Sequence, residues 1–151
     1  MAGDGAPDGP RLMPAGEARC GVHGTAVALD GRGLLITGPA GAGKSGTAAQ
    51  LLALGGSLVA DDLVMVEREE GGLVLLPPPD ALPAIELRGF GIIPIRITRR
   101  APLQGILWLG PSPARLPEAQ SLDVLGWSVP LLRHPADAVL AAKALLWLRS
   151  R

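Results

Sequence analysis

One run of eight residues constrains the fold of this chain more than any other feature. It matches the glycine-rich pattern G-x-x-x-x-G-K-[ST] over its full length and consists of Gly38, Pro39, Ala40, Gly41, Ala42, Gly43, Lys44 and Ser45. An apolar segment, Leu34–Ile36, precedes this run, and helix-forming residues over Gly46–Leu54 follow it. The pattern predicts a strand, a loop and a helix in succession, with Gly55-Gly56 ending the helix. We therefore expect an α/β domain built on a mixed β-sheet.

The same loop predicts a nucleotide site. Its small residues allow successive backbone N–H groups to converge on phosphate oxygens. The helix begins at Lys44, so the positive end of its dipole faces the same anion. Lys44 would reach the outer phosphates of ATP, and the Ser45 hydroxyl would bind Mg²⁺. A glycine-rich turn that binds nothing is the alternative, and the complete pattern with its correct flanks disfavours it.

The choice of lysine in this loop is unusual for the chain. Twelve of the fourteen basic residues are arginine, and only Lys44 and Lys143 are lysine. Genome composition can explain the arginine bias, but it does not explain why the loop carries a lysine. A compact ammonium at this position fits a point contact to phosphate.

The rest of the chain predicts several short strands and one further helix. Thr25–Leu29 and Gly33–Thr37 form a hairpin around an Asp30-Gly31 turn. The pattern also predicts a mostly irregular, proline-rich stretch over Gly110–Arg133, with at most one short strand near Trp127–Leu131. A helix over Ala136–Leu148 is apolar on nearly all faces, which suggests burial on two sides, one of them against another subunit. The further predicted strands are Ser57–Ala60, Leu63–Glu67, Leu73–Leu76, Ala84–Arg88, Ile92–Ile97 and Leu103–Leu109.

Length and composition predict one domain. The 151 residues divide into a flexible tail over residues 1–17 and a domain over residues 18–151. Fourteen basic and fourteen acidic residues cancel, and aromatic residues make up only 3%, so nucleic-acid binding is not expected. A lone cysteine, Cys20, excludes an internal disulfide and a four-cysteine zinc site. Neither a signal peptide nor a membrane span is evident, so we expect a cytoplasmic protein without membrane contact.

Two adjacent carboxylates follow the strand predicted at Ser57–Ala60. In a P-loop fold this strand is expected beside the first one, which would bring Asp61 and Asp62 near the phosphates. One could hold Mg²⁺ while the other takes a proton from a nucleophile. The alternative is a solvated turn at a strand end. Glu86 and Arg88 share one face of an extended segment; they could complete the metal site and neutralise phosphate charge, or form a surface ion pair.

The histidines and the cysteine carry little signal by themselves. His23 and His134 are single histidines, which are more often structural or exposed than catalytic. Cys20 has no activating partner in the sequence, and we interpret it as structural.

Together these residues resemble the catalytic domain of the HPr kinase/phosphorylase family over roughly residues 20–97. The resemblance rests on Val22-His23-Gly24, the phosphate loop, Leu58-Val59-Ala60-Asp61-Asp62, and Ile85-Glu86-Leu87-Arg88-Gly89-Phe90-Gly91-Ile92-Ile93. The last of these stretches resembles the family signature. We expect the short form of the family, which consists of the catalytic domain alone.

The resemblance implies a role for each matching residue. His23 would assist the catalytic aspartate, for which Asp62 is the first choice and Asp61 the second. Glu86 would bind Mg²⁺ with Arg88 beside it, and a later family arginine corresponds to Arg115. The implied reaction is transfer of phosphate from ATP to a serine of an HPr-like phosphocarrier protein of the phosphotransferase system. The family is usually hexameric.

Some positions depart from the family pattern. Leu132-Arg133-His134-Pro135 replaces the residues that the family uses for dephosphorylation, so kinase activity is expected more than phosphorylase activity. Pro39-Ala40 and Gly46 also differ from common family residues. Three alternatives therefore stay open: a small-molecule kinase, a simple P-loop NTPase, and a nucleotide-sensing regulatory module without turnover.

Overall fold

The computed structural model describes residues 9–151, which form twelve strands and two helices within that range. The strands are β1 (Met13–Pro14), β2 (Arg19–His23), β3 (Thr25–Leu29), β4 (Arg32–Thr37), β5 (Ser57–Ala60), β6 (Leu63–Glu69), β7 (Gly72–Leu76), β8 (Ala84–Leu87), β9 (Gly91–Pro94), β10 (Ala101–Leu109), β11 (Gln120–Val124) and β12 (Trp127–His134). The helices are α1 (Lys44–Ala53) and α2 (Leu140–Arg149). Neither helix within residues 9–151 has the length and hydropathy needed to cross a membrane.

A long strand, β10, joins two sheets. Its first residues, Ala101 and Pro102, pair with β7 in an antiparallel sheet of order β1-β2-β6-β7-β10. From Leu103 onward it pairs in parallel with β4, and from Ile106 also with β12, which in turn pairs with β11. On the other side of β4 lie β3 and then β5, both antiparallel to their neighbours. The sheet is therefore mixed, as predicted. A separate hairpin is formed by β8 and β9.

The elements form three layers, with one apolar cluster between each pair of neighbouring layers. In β3 all five residues are buried because both faces of the strand are covered. Ala26 and Ala28 face a cluster shared with the antiparallel sheet, whereas Val27 and Leu29 face a second cluster that contains α1 and α2. The mixed sheet thus lies between the antiparallel sheet and the two helices, which places the carboxyl ends of β4, β10 and β12 at one edge.

The predicted neighbour of β4 was wrong. We expected Ser57–Ala60 beside the strand that enters the phosphate loop, but β3 lies between β4 and β5. The physical reason is the tight turn at Asp30 and Gly31, whose φ values of 52° and 76° fold β3 back onto β4. The hairpin therefore occupies the edge of β4 that β5 would have used.

The prediction for Gly110–Arg133 was right about a strand near Trp127–Leu131, which is part of β12, but it missed β11. The region contains the β11–β12 hairpin, which turns at Leu125 and Gly126 with positive φ values of 51° and 88°. Asp123 Oδ1 accepts a hydrogen bond from the backbone N–H of Gly126 at 3.0 Å and stabilises this turn. The prolines and the mostly exposed β11 concealed the strand pattern.

The second helix begins later than predicted. It starts at Leu140 rather than Ala136, because Asp137 Oδ1 accepts a hydrogen bond from the backbone N–H of Val139 at 3.0 Å in a preceding turn. Only one face of α2 is buried within the chain, and Leu146 on the other face is 67% exposed.

The start of the chain also differs from the prediction in part. Residues 1–8 of the predicted tail lie outside the described residues. Met13 and Pro14, which also fall within that tail, form β1 and pair with Gly21 and Cys20 of β2. The strand β2 itself was not predicted.

Candidate functional site

The phosphate loop connects the end of β4 to the start of α1. Gly41 and Gly43 have φ values of 80° and 102°, a left-handed conformation that glycine adopts without strain. Gly43 is the N-cap residue, no side chain caps the helix, and its first turn contains no acidic residue. The free N–H groups and the positive helix end are therefore open to an anion from outside the chain.

Lys44 is folded over this loop. Its Nζ atom donates hydrogen bonds to the carbonyl oxygens of Gly38 at 3.0 Å and Pro39 at 3.2 Å. Both acceptors are neutral, so the ammonium charge at the loop is not cancelled by a carboxylate. This arrangement leaves a positive charge beside the backbone amides, which suits a polyphosphate.

Asp61 links three separate segments. Its Oδ1 atom accepts hydrogen bonds from Thr25 Oγ1 at 2.9 Å and from Ser45 Oγ at 3.1 Å. Its Oδ2 atom lies 3.4 Å from the backbone nitrogen of Glu86, which donates to it. One carboxylate therefore connects β3, the first turn of α1 and β8.

Asp62, in contrast to the partly buried Asp61, is exposed. Its φ value of 76° is left-handed, a conformation in which aspartate is found more often than most residues. Its backbone carbonyl accepts a hydrogen bond from the N–H of Gly24 at 3.1 Å. The turn at Asp61-Asp62 is thereby attached to the segment that follows His23.

Gly24 has a structural role at the site that the sequence did not indicate. A Cβ atom there would lie 2.5 Å from the carbonyl oxygen of Ile36, which is too close for any other residue. Thr25, the donor to Asp61, was also missed. It is a single hydroxyl in an otherwise apolar strand, and a buried hydroxyl, here 1% exposed, needs a hydrogen-bond partner.

His23 lies at the edge of the phosphate loop. It is the last residue of β2 and pairs in register with Leu63, directly after the aspartates. Together with Gly38, Pro39 and Trp108 it lines a cavity of about 250 Å³, which residues from 9 to 13 close on another side. The exposed imidazole is therefore on the loop side of the molecule.

Glu86 lies on β8 and Arg88 directly follows its end. Both residues are exposed. Ile85, which lies on the other face of β8, is only 2% exposed. Because it belongs to the second apolar cluster, it attaches β8 to the core. Within residues 9–151 there are three ion pairs, and none of them joins Glu86 to Arg88. The surface ion pair considered above is therefore not formed.

Arg115 is not brought to this site. It is exposed in the loop over residues 111–119 and lines a different cavity, between β12 and α2, to which no residue of the phosphate loop contributes. His134 lines that second cavity too. The remaining predicted residues, by contrast, belong to segments that meet at the phosphate loop or at Asp61.

The residues present fit a nucleotide with Mg²⁺. Within residues 9–151 no group of three or more histidine, cysteine, aspartate or glutamate side chains forms a metal site. Ser45 Oγ and the carboxylates of Asp61 and Glu86 are hard oxygen donors, which Mg²⁺ prefers, and phosphate oxygens normally complete such a set. Cys20 is not a candidate nucleophile, because burial raises the pKa of its thiol.

Comparison with known protein families gives one match over much of the chain. A family model described as "HPr Serine kinase C-terminal domain" matches residues 17–98. This range contains the phosphate loop, the aspartate pair and the β8–β9 hairpin.

Individual relatives match a similar part of the chain. The HPr kinase/phosphorylase of Geobacillus sp. (strain WCH70) is 45% identical over 73 residues, which are 48% of this chain and 24% of the relative. The protein of the same name from Shouchella clausii is 49% identical over 73 residues, with the same coverage. That of Clostridium botulinum (strain Eklund 17B / Type B) is 40% identical over 74 residues, again 24% of its length. The match thus spans about a quarter of these relatives.

A solved structure shares the fold over a longer range. The Hpr(Ser) kinase/phosphatase of Coxiella burnetii superposes with a TM-score of 0.74 and covers 86% of this chain and 88% of that chain. The two sequences are 24% identical. The likeness therefore extends beyond the range that the family model matches.

Proposed function

This chain belongs to the family of the HPr serine kinase C-terminal domain, and from this premise we propose that it is an ATP- and Mg²⁺-dependent protein kinase. Its substrate would be a serine of an HPr-like phosphocarrier protein. The observation that carries the proposal is the position of Asp61. Its carboxylate accepts hydrogen bonds from the phosphate-loop residue Ser45 and from the backbone N–H of Glu86, so it joins the phosphate loop to β8.

The loop residues would hold the nucleotide. The backbone N–H groups from Gly38 to Ser45 and the helix end would bind the phosphates, with Lys44 at the outer ones. Ser45, Asp61 and Glu86 would hold Mg²⁺, which when bound neutralises phosphate charge. Ser45 Oγ and Asp61, which lie 3.1 Å apart, would both supply oxygen donors to the metal.

Asp62 would act as the base. The substrate serine oxygen forms a bond to the γ-phosphorus, the bond from that phosphorus to the β–γ bridging oxygen breaks, and ADP leaves. The serine proton passes to Asp62, which is exposed to an incoming protein and is supported by His23 at the same edge. A base of this kind contributes roughly 10²–10⁴-fold to the rate. Arg88 would neutralise charge on the transferring group.

The partners follow from the same proposal. The chain would act on a phosphocarrier protein of the phosphotransferase system in the cytoplasm, in signal transduction, and would assemble as a homo-oligomer, a hexamer by family resemblance. Large exposed apolar side chains support subunit contacts. Phe90 is 84% exposed, Ile92 70% and Leu146 67%. The forward reaction is the proposal, because the residues from Leu132 to Pro135 differ from those that the family uses for the reverse one.

A labelling assay tests the proposal. The protein is incubated with Mg²⁺, ATP labelled on its γ-phosphate and a purified HPr-like phosphocarrier protein, with and without inorganic phosphate. We expect phosphoserine on the carrier. The Asp62→Asn variant should lose at least about 100-fold of this rate while keeping its affinity for ATP. Asparagine is the matched change because it also tolerates a left-handed backbone.

Three results would contradict the proposal in different ways. Steady phosphate release without labelled carrier indicates a simple NTPase. Labelling of a small acceptor but not of the carrier indicates a small-molecule kinase. Tight ATP binding without any turnover, unchanged in Asp62→Asn, indicates a nucleotide-sensing module.

A further inference from the structure

A second cavity is lined by residues outside the phosphate loop. It has a volume of about 1150 Å³ and lies between β12, α2 and the loop over residues 111–119. None of its lining residues belongs to the phosphate loop, the aspartate pair or β8. Its floor is apolar, with Leu107, Leu131, Leu140 and Ala144 buried in the two core clusters. A space of this size is large enough for a drug-sized organic molecule.

Positive charge is concentrated around this cavity. Four cationic side chains line it against one acidic residue, although the whole chain has no net charge. The cations are Arg115, Arg133, Lys143 and Arg151, and the acid is Glu118. Such a local excess in a neutral protein attracts an anion to this place.

Lys143 is held at the cavity by a neutral partner. Its Nζ atom lies 3.0 Å from His134 Nε2, and His134 Nδ1 lies 2.8 Å from the carbonyl oxygen of Pro135. Because a carbonyl can only accept, Nδ1 carries the proton and Nε2 accepts from the ammonium. The charge of Lys143 is therefore positioned without being neutralised, and its other N–H groups can bind a ligand.

Two of the other cations, Arg115 and Arg151, also lie outside the ion pairs of the described residues. Arg133 Nε donates to the neutral Gln120 Oε1 at 2.8 Å. The guanidinium of Arg151 lies 4.9 Å from the ring centroid of Trp147, which also lines the cavity. Cations at an apolar wall favour a ligand that supplies both negative charge and apolar surface.

We propose that this cavity binds an organic anion with an apolar body, such as an aryl or alkyl sulfonate, phosphate or carboxylate. The apolar part would lie on the floor between β12 and α2, and the anionic group would contact Lys143 and Arg115. Inorganic phosphate alone would leave the floor uncovered. Arg115, which the family resemblance assigned to catalysis, belongs to this second site instead. The inference does not depend on the proposed kinase activity.

The test uses two fluorescent probes that differ only in charge. The probe 8-anilinonaphthalene-1-sulfonate carries a sulfonate, and N-phenyl-1-naphthylamine has the same aromatic body without it. We expect the sulfonate to bind the folded protein saturably, one per chain, and more tightly than the neutral probe. The double variant Arg115→Gln/Lys143→Gln should weaken sulfonate binding by at least about tenfold. Binding of the neutral probe should change less than about twofold, since its contacts are apolar.

Matched controls locate the probe. The double variant Arg96→Gln/Arg99→Gln removes the same charge from exposed residues outside the cavity and should leave binding unchanged. Lys44→Met should also bind the sulfonate normally, and Mg-ATP should not displace it. Ser128→Trp, which places a large ring at an exposed position of the cavity wall, should block both probes.

Several results would overturn the inference. They are the absence of saturable sulfonate binding, equal loss in the two double variants, displacement by Mg-ATP, or equal affinity for the two probes. Displacement of the sulfonate by an oligo-glutamate peptide but not by a small aryl carboxylate would assign the cavity to an acidic peptide and would also overturn it.

Discussion

At the scale of single residues, the account depends most on Asp61. Both of its oxygens accept hydrogen bonds, and the donors come from β3, α1 and the backbone of β8. A partly buried carboxylate that accepts several hydrogen bonds is held in one position, and it orients the groups around it. Asp61 is therefore expected both to organise the site and to face the metal of a bound nucleotide.

Replacing Asp61 tests this double role. Asp61→Asn keeps the shape, but it loses the negative charge and presents an amide N–H₂ where an acceptor was needed. We expect a loss of about 1–3 kcal/mol in the free energy of unfolding, measured by chemical denaturation. Affinity for Mg-ATP, measured by calorimetry, should fall at least about tenfold. Asp80→Asn, an exposed residue outside the site, is the control; an unchanged affinity in Asp61→Asn would contradict the role.

The sequence predicted individual site residues where a motif specified them. The loop pattern predicted Lys44 and Ser45 as site residues, and Asp61, which was expected near them, lies 3.1 Å from Ser45 Oγ. Thr25 and Gly24 were not predicted. Their roles arise from contacts with Asp61 and Ile36 that are distant in sequence. The catalytic roles of Asp62, His23, Glu86 and Arg88 stay predictions.

At the scale of elements, the close packing between β2, β3 and β4 positions the site. Gly24 joins β2 to β3, and its backbone N–H donates to the carbonyl of Asp62. The missing side chain at Gly24 lets this segment approach the backbone of Ile36 in β4. This approach sets where the turn at Asp61-Asp62 lies relative to the phosphate loop.

A pair of glycine substitutions tests that packing. Gly24→Ala should lower the free energy of unfolding by about 1–3 kcal/mol, because its Cβ atom would meet a backbone oxygen that cannot move freely. Gly46→Ala is the matched change in α1, where nothing lies within 4 Å of the added Cβ. It should raise stability by roughly 0.5–1 kcal/mol through helix propensity. Thermal and urea unfolding measure both, and equal effects of the two variants would contradict this explanation.

The positions of most helices and strands could be predicted from local sequence patterns, but the pairing of the strands could not. The helix after the loop, the β3–β4 hairpin and most strands follow from periodicity and turn residues. The placement of β3 between β4 and β5 does not, because strand order depends on contacts between distant segments. The strand near Trp127–Leu131 was predicted, but its partner β11 was missed since β11 has little burial.

At the scale of the whole molecule, the three layers leave apolar surface uncovered. The outer face of α2 exposes Leu146, whereas the opposite face of the helix packs on the mixed sheet. The sequence suggested that this helix is buried on two sides, and within the chain only one side is. The second side is available for a further subunit, in agreement with the proposed homo-oligomer.

Changing Leu146 tests the proposed assembly. Leu146→Asp should shift the protein to a smaller species in size-exclusion chromatography with light scattering, because a charge would be buried at the subunit contact. Its circular dichroism should not change, since the side chain makes no core contact within the chain. Leu82→Asp, another exposed leucine at 75% exposure, is the control. A monomeric wild-type protein, or an unchanged mass in Leu146→Asp, would contradict this placement of the interface.

The central claim is that one loop binds a polyphosphate while carboxylates from separate segments meet at its terminal phosphate. A crystal structure with Mg²⁺ and a non-hydrolysable ATP analogue measures this most directly. The account predicts phosphates on the backbone amides of residues 38–45, the metal bound to Ser45 Oγ with Asp61 and Glu86 facing it, and Asp62 and His23 beside the γ-phosphate. A nucleotide bound elsewhere, or a γ-phosphate directed away from Asp61 and Asp62, would contradict it.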